Sequence, residues 1–176
     1  MSAVLCGALA VAGCSSTERG NAQPSTSVDP AAATAALWDP CSQISDGTLV
    51  GLGLKPSSEE SGIFGVEEPG WKICRWTEDE VPANFSMAVY STVHALDEIR
   101  TKPGNVDFKD VTVAGRSAVQ YRDSVRAADE FCLLAFATAS GFVQLDVINR
   151  SAQAKQTPPC DRAKSVAEVL VPLFPK

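Results

Sequence analysis

Six cysteines divide this 176-residue chain into a short start and a longer remainder, and their placement is its strongest structural constraint. Cys6 and Cys14 lie within or directly after an apolar stretch. The other four are spread widely over the remaining chain. An even number of cysteines in an exported protein is typical of disulfides. If the chain is exported, two disulfides are expected among these four residues: Cys41, Cys74, Cys132 and Cys160.

The apolar start predicts export. Residues 3–12 are made only of Ala, Val, Leu, Cys and Gly. That length suits the core of a secretory signal and is too short to cross a bilayer. The stretch ends in Val11-Ala12-Gly13-Cys14, which is similar to a bacterial lipobox, where small residues precede a lipidated cysteine. We therefore expect residues 1–13 to be a signal peptide that is removed and Cys14 to carry the lipid.

Two features qualify this interpretation. A signal begins with Lys or Arg, and no charged residue precedes Cys14, so the signal is expected to be truncated at its start. The alternative is a buried segment with two free cysteines. It is disfavoured because the polar residues 15–20 follow Cys14 directly. Two or three acyl chains anchor a protein firmly, since each buried CH₂ contributes about 0.8 kcal/mol.

The following section predicts a tether. Residues 14–37 contain mainly Ser, Thr, Ala, Pro, Asn and Gln after the lipidated cysteine. Such a composition buries too little apolar surface to offset the entropy of the chain. We expect a flexible tether over 14–37 and one folded domain over 38–176, a length that suits a single core. The net charge of -6 disfavours nucleic acid as a partner.

Disulfide pairing stays open on the sequence alone, because four cysteines allow three pairings. We favour Cys41 with Cys74 and Cys132 with Cys160, since each bond would then join a helix start to a neighbouring strand across a moderate loop. A zinc site is the alternative. Zinc sites normally contain a close cysteine pair such as C-x-x-C, and none occurs here. No metal and no cofactor is therefore expected.

The apolar pattern predicts an α+β fold. Helical segments are predicted at residues 45–52, at 95–102 and from residue 159 onward. Alternating apolar residues predict strands at 71–77, 84–91, 110–113, 117–121, 131–138 and 142–148. Hairpin-like connections favour a mainly antiparallel sheet. We expect a single domain with five or six strands packed against short helices, held by two disulfides.

Several short motifs then occur in a specific order. Asp39-Pro40-Cys41 precedes the first helix, Cys74-Arg75-Trp76 lies in a strand, and Cys132 lies in the penultimate strand. Pro159-Cys160-Asp161-Arg162-Ala163 opens the last helix. With the lipobox, this order resembles the actinobacterial, mycobacterial-type lipoproteins built on a domain of unknown function. The resemblance implies a lipid-anchored, disulfide-bonded domain on the outer face of the cell membrane, and it implies no catalytic residues.

The candidate catalytic groups are the acidic residues and the single histidine. His94 would have to serve any Ser-His-Asp arrangement, but it lies between a predicted strand and a predicted helix, where a surface role is common. Adjacent carboxylates could supply a hydrolytic pair, although such groups in loops usually face water. The acidic groups are Glu59/Glu60, Glu67/Glu68 and Glu78/Asp79/Glu80.

Aromatic residues on the predicted strands belong either to the core or to a ligand cleft: Trp71, Trp76, Phe85 and Phe136. Sequence does not separate these outcomes, because pockets are also mostly apolar. We expect a non-enzymatic envelope lipoprotein that binds an envelope ligand or protein. The alternatives are a cell-wall hydrolase with paired carboxylates and a pure protein-interaction module.

Overall fold

The structure is a computed structural model that describes residues 29–176. Its strands are β1 (Glu60–Ser61), β2 (Trp71–Thr77), β3 (Phe85–Thr92), β4 (Asn105–Val113), β5 (Arg116–Asp123), β6 (Phe131–Thr138) and β7 (Gly141–Asn149). Its α-helices are α1 (Pro30–Ala35), α2 (Pro40–Gln43), α3 (Asp46–Gly51), α4 (Glu98–Thr101) and α5 (Pro159–Leu170). Short 3-10 turns lie at Pro56–Ser58, Ala154–Gln156 and Val171–Leu173.

All seven strands form one antiparallel sheet in the order β1-β2-β3-β7-β6-β5-β4. The expected α+β fold with an antiparallel sheet is confirmed, but the expected number of five or six strands is wrong. The additional strand is β1, which pairs with Arg75 and Cys74 of β2. A strand of two exposed residues has no room for an apolar alternation, so the sequence pattern does not reveal it.

Alternation along the strands gives the sheet two different faces. Helix α5 packs on one face through its apolar stripe, which contains Ala163, Val166, Ala167 and Leu170. The strands supply the opposing core residues, among them Trp76, Met87, Leu134, Phe136 and Leu145. The second face carries a smaller apolar cluster, which includes Val119, Leu133 and Phe142. Only the first face is covered by the long helix.

Both disulfides lie on the face covered by α5. Cys41 of α2 is bonded to Cys74 of β2, and Cys132 of β6 is bonded to Cys160 of α5. The expectation of two disulfides is confirmed, and the bonded pairs are the two that the sequence analysis favours. Each bond fixes a helix to the sheet and restricts the unfolded chain, which typically stabilises a fold by about 2–4 kcal/mol.

Hydrogen bonds near the start of the described residues cap α3 and attach α1 to the rest of the domain. Ser45 accepts a hydrogen bond from the backbone N–H of Thr48 and caps α3, as its position predicts. Further upstream, Thr34 of α1 accepts one from the N–H of Gly70 at 2.8 Å, and Leu37 is buried. The predicted signal peptide (1–13), Cys6, Cys14 and the first half of the predicted tether lie outside the described residues.

Helix α4 is shorter than the eight residues predicted from the sequence. It spans Glu98–Thr101 and follows a turn that begins after β3. The carboxylate of Glu98 accepts a hydrogen bond from the N–H of Ala95. This side chain therefore provides a partner for an N–H in the turn that precedes the helix. Within residues 29–176, no helix is long and apolar enough to cross a membrane.

Candidate functional site

A cleft of about 270 Å³ opens on the face of the sheet opposite α5. The chain alternation that sends Leu145 into the α5 core turns its neighbours Gln144 and Asp146 to this cleft. Side chains from β2, β3, β5, β6 and β7 form its walls and floor, and loop residues form its rim. The main lining residues are Trp71, Ile73, Tyr90, Tyr121, Phe131, Leu133, Gln144 and Asp146.

A chain of side-chain hydrogen bonds crosses the floor of the cleft. The hydroxyl of Tyr121 donates to Oε1 of Gln144 at 2.5 Å. The amide Nε2 of Gln144 then donates to Oδ1 of Asp146 at 2.8 Å. Both ends of the Gln144 amide therefore have a hydrogen-bond partner. These bonds fix the arrangement of polar groups on the floor.

Asp146 is the most buried carboxyl group among the described residues that line the cleft, with 5% of its surface exposed. Burial raises the pKa of its carboxyl from an ordinary 3.8 to about 7. Hydrogen bonds from Gln144 and Tyr90 act in the opposite direction. The positive charges of Arg75 and Arg126 also favour the ionised form. Since desolvation outweighs these contributions, Asp146 changes its charge close to neutral pH.

The two tyrosines beside this carboxyl stay protonated. Burial raises the pKa of Tyr90 and of Tyr121, and the nearby Asp146 raises both further. Their hydroxyl groups are therefore hydrogen-bond donors over the whole physiological range. Tyr121 is also supported from behind, because its ring stacks on Phe108 with the centroids 5.5 Å apart.

Trp71 forms the main aromatic wall. Its indole makes edge contacts with Tyr90 and Phe142, at centroid distances of 6.3 and 5.9 Å. The imidazole of His94 lies 5.3 Å from it in a tilted arrangement. These contacts hold the indole in place while it remains partly exposed. Such pre-positioned aromatic surface is typical of small-molecule sites.

A second cavity of about 330 Å³ adjoins the first. Its own apolar walls are Ile99 and Phe142. Five residues line both cavities: Trp71, Lys102, Asn105, Tyr121 and Gln144. Trp71 and Gln144 therefore stand between two connected lobes, and the site is a bilobed cleft rather than a single pit.

The rim of the first lobe carries balanced charges. Lys102 and Arg126 face it together with the carboxylates of Glu68 and Asp123. The guanidinium of Arg126 lies over the ring of Phe131, 5.0 Å from its centroid, in a cation–π contact. Within residues 29–176, neither cation has a carboxylate partner within 4.0 Å. The rim therefore combines two positive and two negative groups without a net charge.

One comparison with known proteins places this chain. The model of a family described as "Protein of unknown function (DUF3558)" matches residues 9–173. The chain belongs to the DUF3558 family. No curated protein and no solved structure matches it. The sequence expectation of a domain of unknown function is thereby confirmed.

The structure of this DUF3558 protein separates the aromatic residues selected from the sequence. Trp71 lines both lobes of the cleft. Trp76, Phe85 and Phe136 are buried in the core beneath α5. Their positions follow from strand parity, because Trp76 lies on the opposite face of β2 from Trp71.

The acidic groups selected from the sequence do not form one cluster in the DUF3558 domain. Glu78 accepts a hydrogen bond from the N–H of Asn84 at 2.9 Å, and Asp79 pairs with Lys55 at 2.7 Å. Of the seven acidic residues named, Glu68 lines the bilobed cleft. His94 pairs with Glu98 at 3.1 Å at the surface and borders the second lobe.

Three metal-ligating side chains come together elsewhere. The ligand atoms of Cys41, Glu59 and Cys74 lie within 4.8 Å of one another. The two sulfur atoms are bonded to each other in a disulfide. A disulfide sulfur has no thiolate to offer a metal, so this group is not a metal site while the disulfide is intact.

Sequence reasoning missed the polar floor of the cleft. Gln144 and Asp146 occupy the polar positions of an alternating strand, which usually face water. Tyr90 and Tyr121 lie in strands whose other positions carry the core. Central strands such as β3, β7 and β6 bury both of their faces, so their polar residues can line a cleft. Which strands are central follows from the strand order, and the sequence pattern alone does not reveal it.

Proposed function

We propose that this DUF3558 protein is a non-enzymatic binding protein of the cell envelope, exported and anchored by a lipid on Cys14, whose bilobed cleft takes a small envelope ligand. The anchor rests on the lipobox-like sequence that ends in Cys14. The binding role rests on the cleft. Its fixed floor of Tyr121, Gln144 and Asp146 is the observation that carries the proposal.

A binding site differs from an ordinary surface groove because its polar groups are oriented before the ligand arrives. Gln144 is held by two hydrogen bonds, and Trp71 is held by three aromatic neighbours. The volumes of the two lobes, about 270 and 330 Å³, lie just below and just above the lower bound of the range of about 300–1,000 Å³ for small-molecule sites. A small ligand is therefore preferred over an extended polymer segment.

The anchor is tested by Cys14→Ala in the full chain expressed in a lipoprotein-processing bacterium. We expect the wild type in the membrane fraction and the variant outside it, and Cys6→Ala serves as the matched control that stays with the membrane. A wild-type protein that is exported without lipid would overturn this part of the proposal.

The binding role is tested by native mass spectrometry of the mature protein purified from its own envelope. A retained small molecule that is lost on heating is the expected result. If a second protein is retained instead, the chain is an interaction module. A protein with neither small molecule nor partner contradicts both readings.

A hydrolase is the second candidate, because three carboxylates line the first lobe: Glu68, Asp123 and Asp146. Glycosidases use two carboxylates across a cleft, one of them with a raised pKa. Activity on p-nitrophenyl glycosides that is abolished by Glu68→Gln or Asp123→Asn would favour this candidate over simple binding.

A further inference from the structure

The chemistry of the first lobe narrows its ligand, provided that the proposed binding function holds. We propose that the cleft recognises a neutral saccharide, whose ring stacks on Trp71 and whose hydroxyl groups bond to Gln144, Asp146 and Asn105. The inference rests on three properties of the lining residues: an aromatic platform, a floor of planar polar groups, and a rim with balanced charges.

The aromatic platform comes first. The apolar C–H face of a pyranose ring packs on an aromatic ring, and indole offers the largest such surface. Trp71 is partly exposed and lines both lobes, so it can contact a ring in the first lobe and a substituent or second ring in the other. Its edge contacts with Tyr90 and Phe142 support the indole from two sides.

The floor disfavours a hydrocarbon ligand. An acyl chain in this lobe would cover the carboxyl of Asp146, the amide of Gln144 and the hydroxyl of Tyr90 without bonding to them. Burying polar groups without new partners costs free energy for each group. A saccharide carries several hydroxyl groups that both donate and accept, so it can bond to carboxyl and amide groups at once.

The rim disfavours a strongly charged ligand. A phosphate or carboxylate drawn to Lys102 and Arg126 would also meet Glu68 and Asp123. A cation drawn to Glu68 and Asp123 would likewise meet the positive charges of Lys102 and Arg126. With two charges of each sign around the opening, the rim has no net charge to attract either kind of ion, whereas the hydroxyl groups of a neutral polyol can bond to groups of either sign.

The test uses the folded domain with its disulfides intact and a panel of free sugars: glucose, galactose, mannose, xylose and N-acetylglucosamine. Glucose 6-phosphate and palmitate serve as the charged and the hydrocarbon probes. Binding is followed by isothermal titration calorimetry and by the indole N–H signals of Trp38, Trp71 and Trp76 in NMR spectra. We expect at least one neutral sugar to bind and to shift the Trp71 signal, with weaker binding of the two other probes.

Two variants locate the site. Trp71→Ala should weaken sugar binding by about tenfold or more, while Trp71→Phe keeps part of it, because the smaller ring still offers a stacking face. Trp38→Phe is the matched control, since Trp38 packs on Phe174 away from the cleft. Circular dichroism establishes that each variant is folded.

Two results would overturn the inference. One is that no neutral sugar of the panel binds at millimolar concentration, and the other is that folded Trp71→Ala binds as well as the wild type. If the sugars fail while native mass spectrometry finds another retained small molecule, the ligand class is wrong and the binding function stands. If nothing is retained and no probe binds, both fail together.

Discussion

Gln144 donates a hydrogen bond of 2.8 Å to Asp146, which lies two residues further along β7. This contact exists because residues i and i+2 of a strand share a face. The other end of the amide accepts from Tyr121 of β5, two strands away in the sheet. The polar floor therefore depends both on the alternation of side chains along β7 and on the order of the strands in the sheet.

The stability of the domain should depend on pH through Asp146. Its pKa in the folded protein is about 7, above the ordinary 3.8, so between these values the folded state holds a proton that the unfolded chain has lost. The free energy of unfolding should therefore fall as the pH rises from about 4 to about 7, and this contribution is absent above that range.

Asp146→Asn should remove this contribution and give a flatter profile than the wild type in urea unfolding at a series of pH values. The matched control is Asp110→Asn, an exposed carboxylate that pairs with Arg100. It should leave the slope in this range as in the wild type. Parallel profiles for the wild type and Asp146→Asn would contradict the assignment.

The turn between β6 and β7 should not accept a side chain at Gly141. Its φ is +147°, and a Cβ built there would lie 2.1 Å from the carbonyl oxygen of Thr92 and 2.7 Å from that of His94. Gly141→Ala should cost more than about 1 kcal/mol of unfolding free energy, measured by urea denaturation. Gly51→Ala, where nothing lies within 4 Å, should be neutral or slightly stabilising. Equal effects of the two changes would exclude this explanation.

Helix α5 should depend on its buried stripe. Leu170 is fully buried, and Leu170→Ala removes side-chain contacts in a packed core, which costs about 2–5 kcal/mol. Val169 lies next to it with 47% of its surface exposed, and Val169→Ala should change the stability by less than about 0.5 kcal/mol. Chemical denaturation of the two variants measures the difference, and a Leu170→Ala protein as stable as Val169→Ala would show that α5 is not packed as described.

The disulfide between β6 and α5 should be a main source of stability. Replacing both Cys132 and Cys160 with Ala should lower the free energy of unfolding by about 2–4 kcal/mol. Thermal unfolding of the variant, with and without a reducing agent, measures this loss and the further contribution of the Cys41–Cys74 bond. If the variant had the same melting temperature as the oxidised wild type, α5 would be held by its apolar contacts alone.

Much of this fold could be predicted because its signals are local. The alternation in β2, β3 and β5–β7 and the spacing of Ala163, Val166 and Leu170 in α5 each lie within one short segment. The cysteine pairing was narrowed by the position of each residue near a helix start or in a strand. The predicted elements agree with the structure apart from three: the short strand β1 was not predicted, α4 is shorter than predicted, and β4 begins at Asn105 and not at the predicted residue 110.

The cleft could not be predicted in the same way, because it depends on which strands are neighbours. Tyr90, Tyr121 and Asp146 are far apart in the sequence and meet only because β7 lies between β3 and β6. Trp71 could be selected from the sequence as an aromatic strand residue. Its assignment to the cleft required knowing which face of β2 is covered by α5, because Trp71 lies on the other face. A strand with polar residues at alternate positions has the same sequence pattern whether those residues face water or line a cleft.

Strand β7 carries Val143, Leu145 and Val147 to the core under α5, and Gln144 and Asp146 to the opposite side. On this strand, residues of the core under α5 alternate with residues that line the cleft. Exchange of Gln144 or Asp146 would therefore change the floor of the cleft and leave the residues of β7 that pack under α5 as they are. For protein engineers, the same separation offers a recognition surface that can be randomised on a disulfide-bonded support.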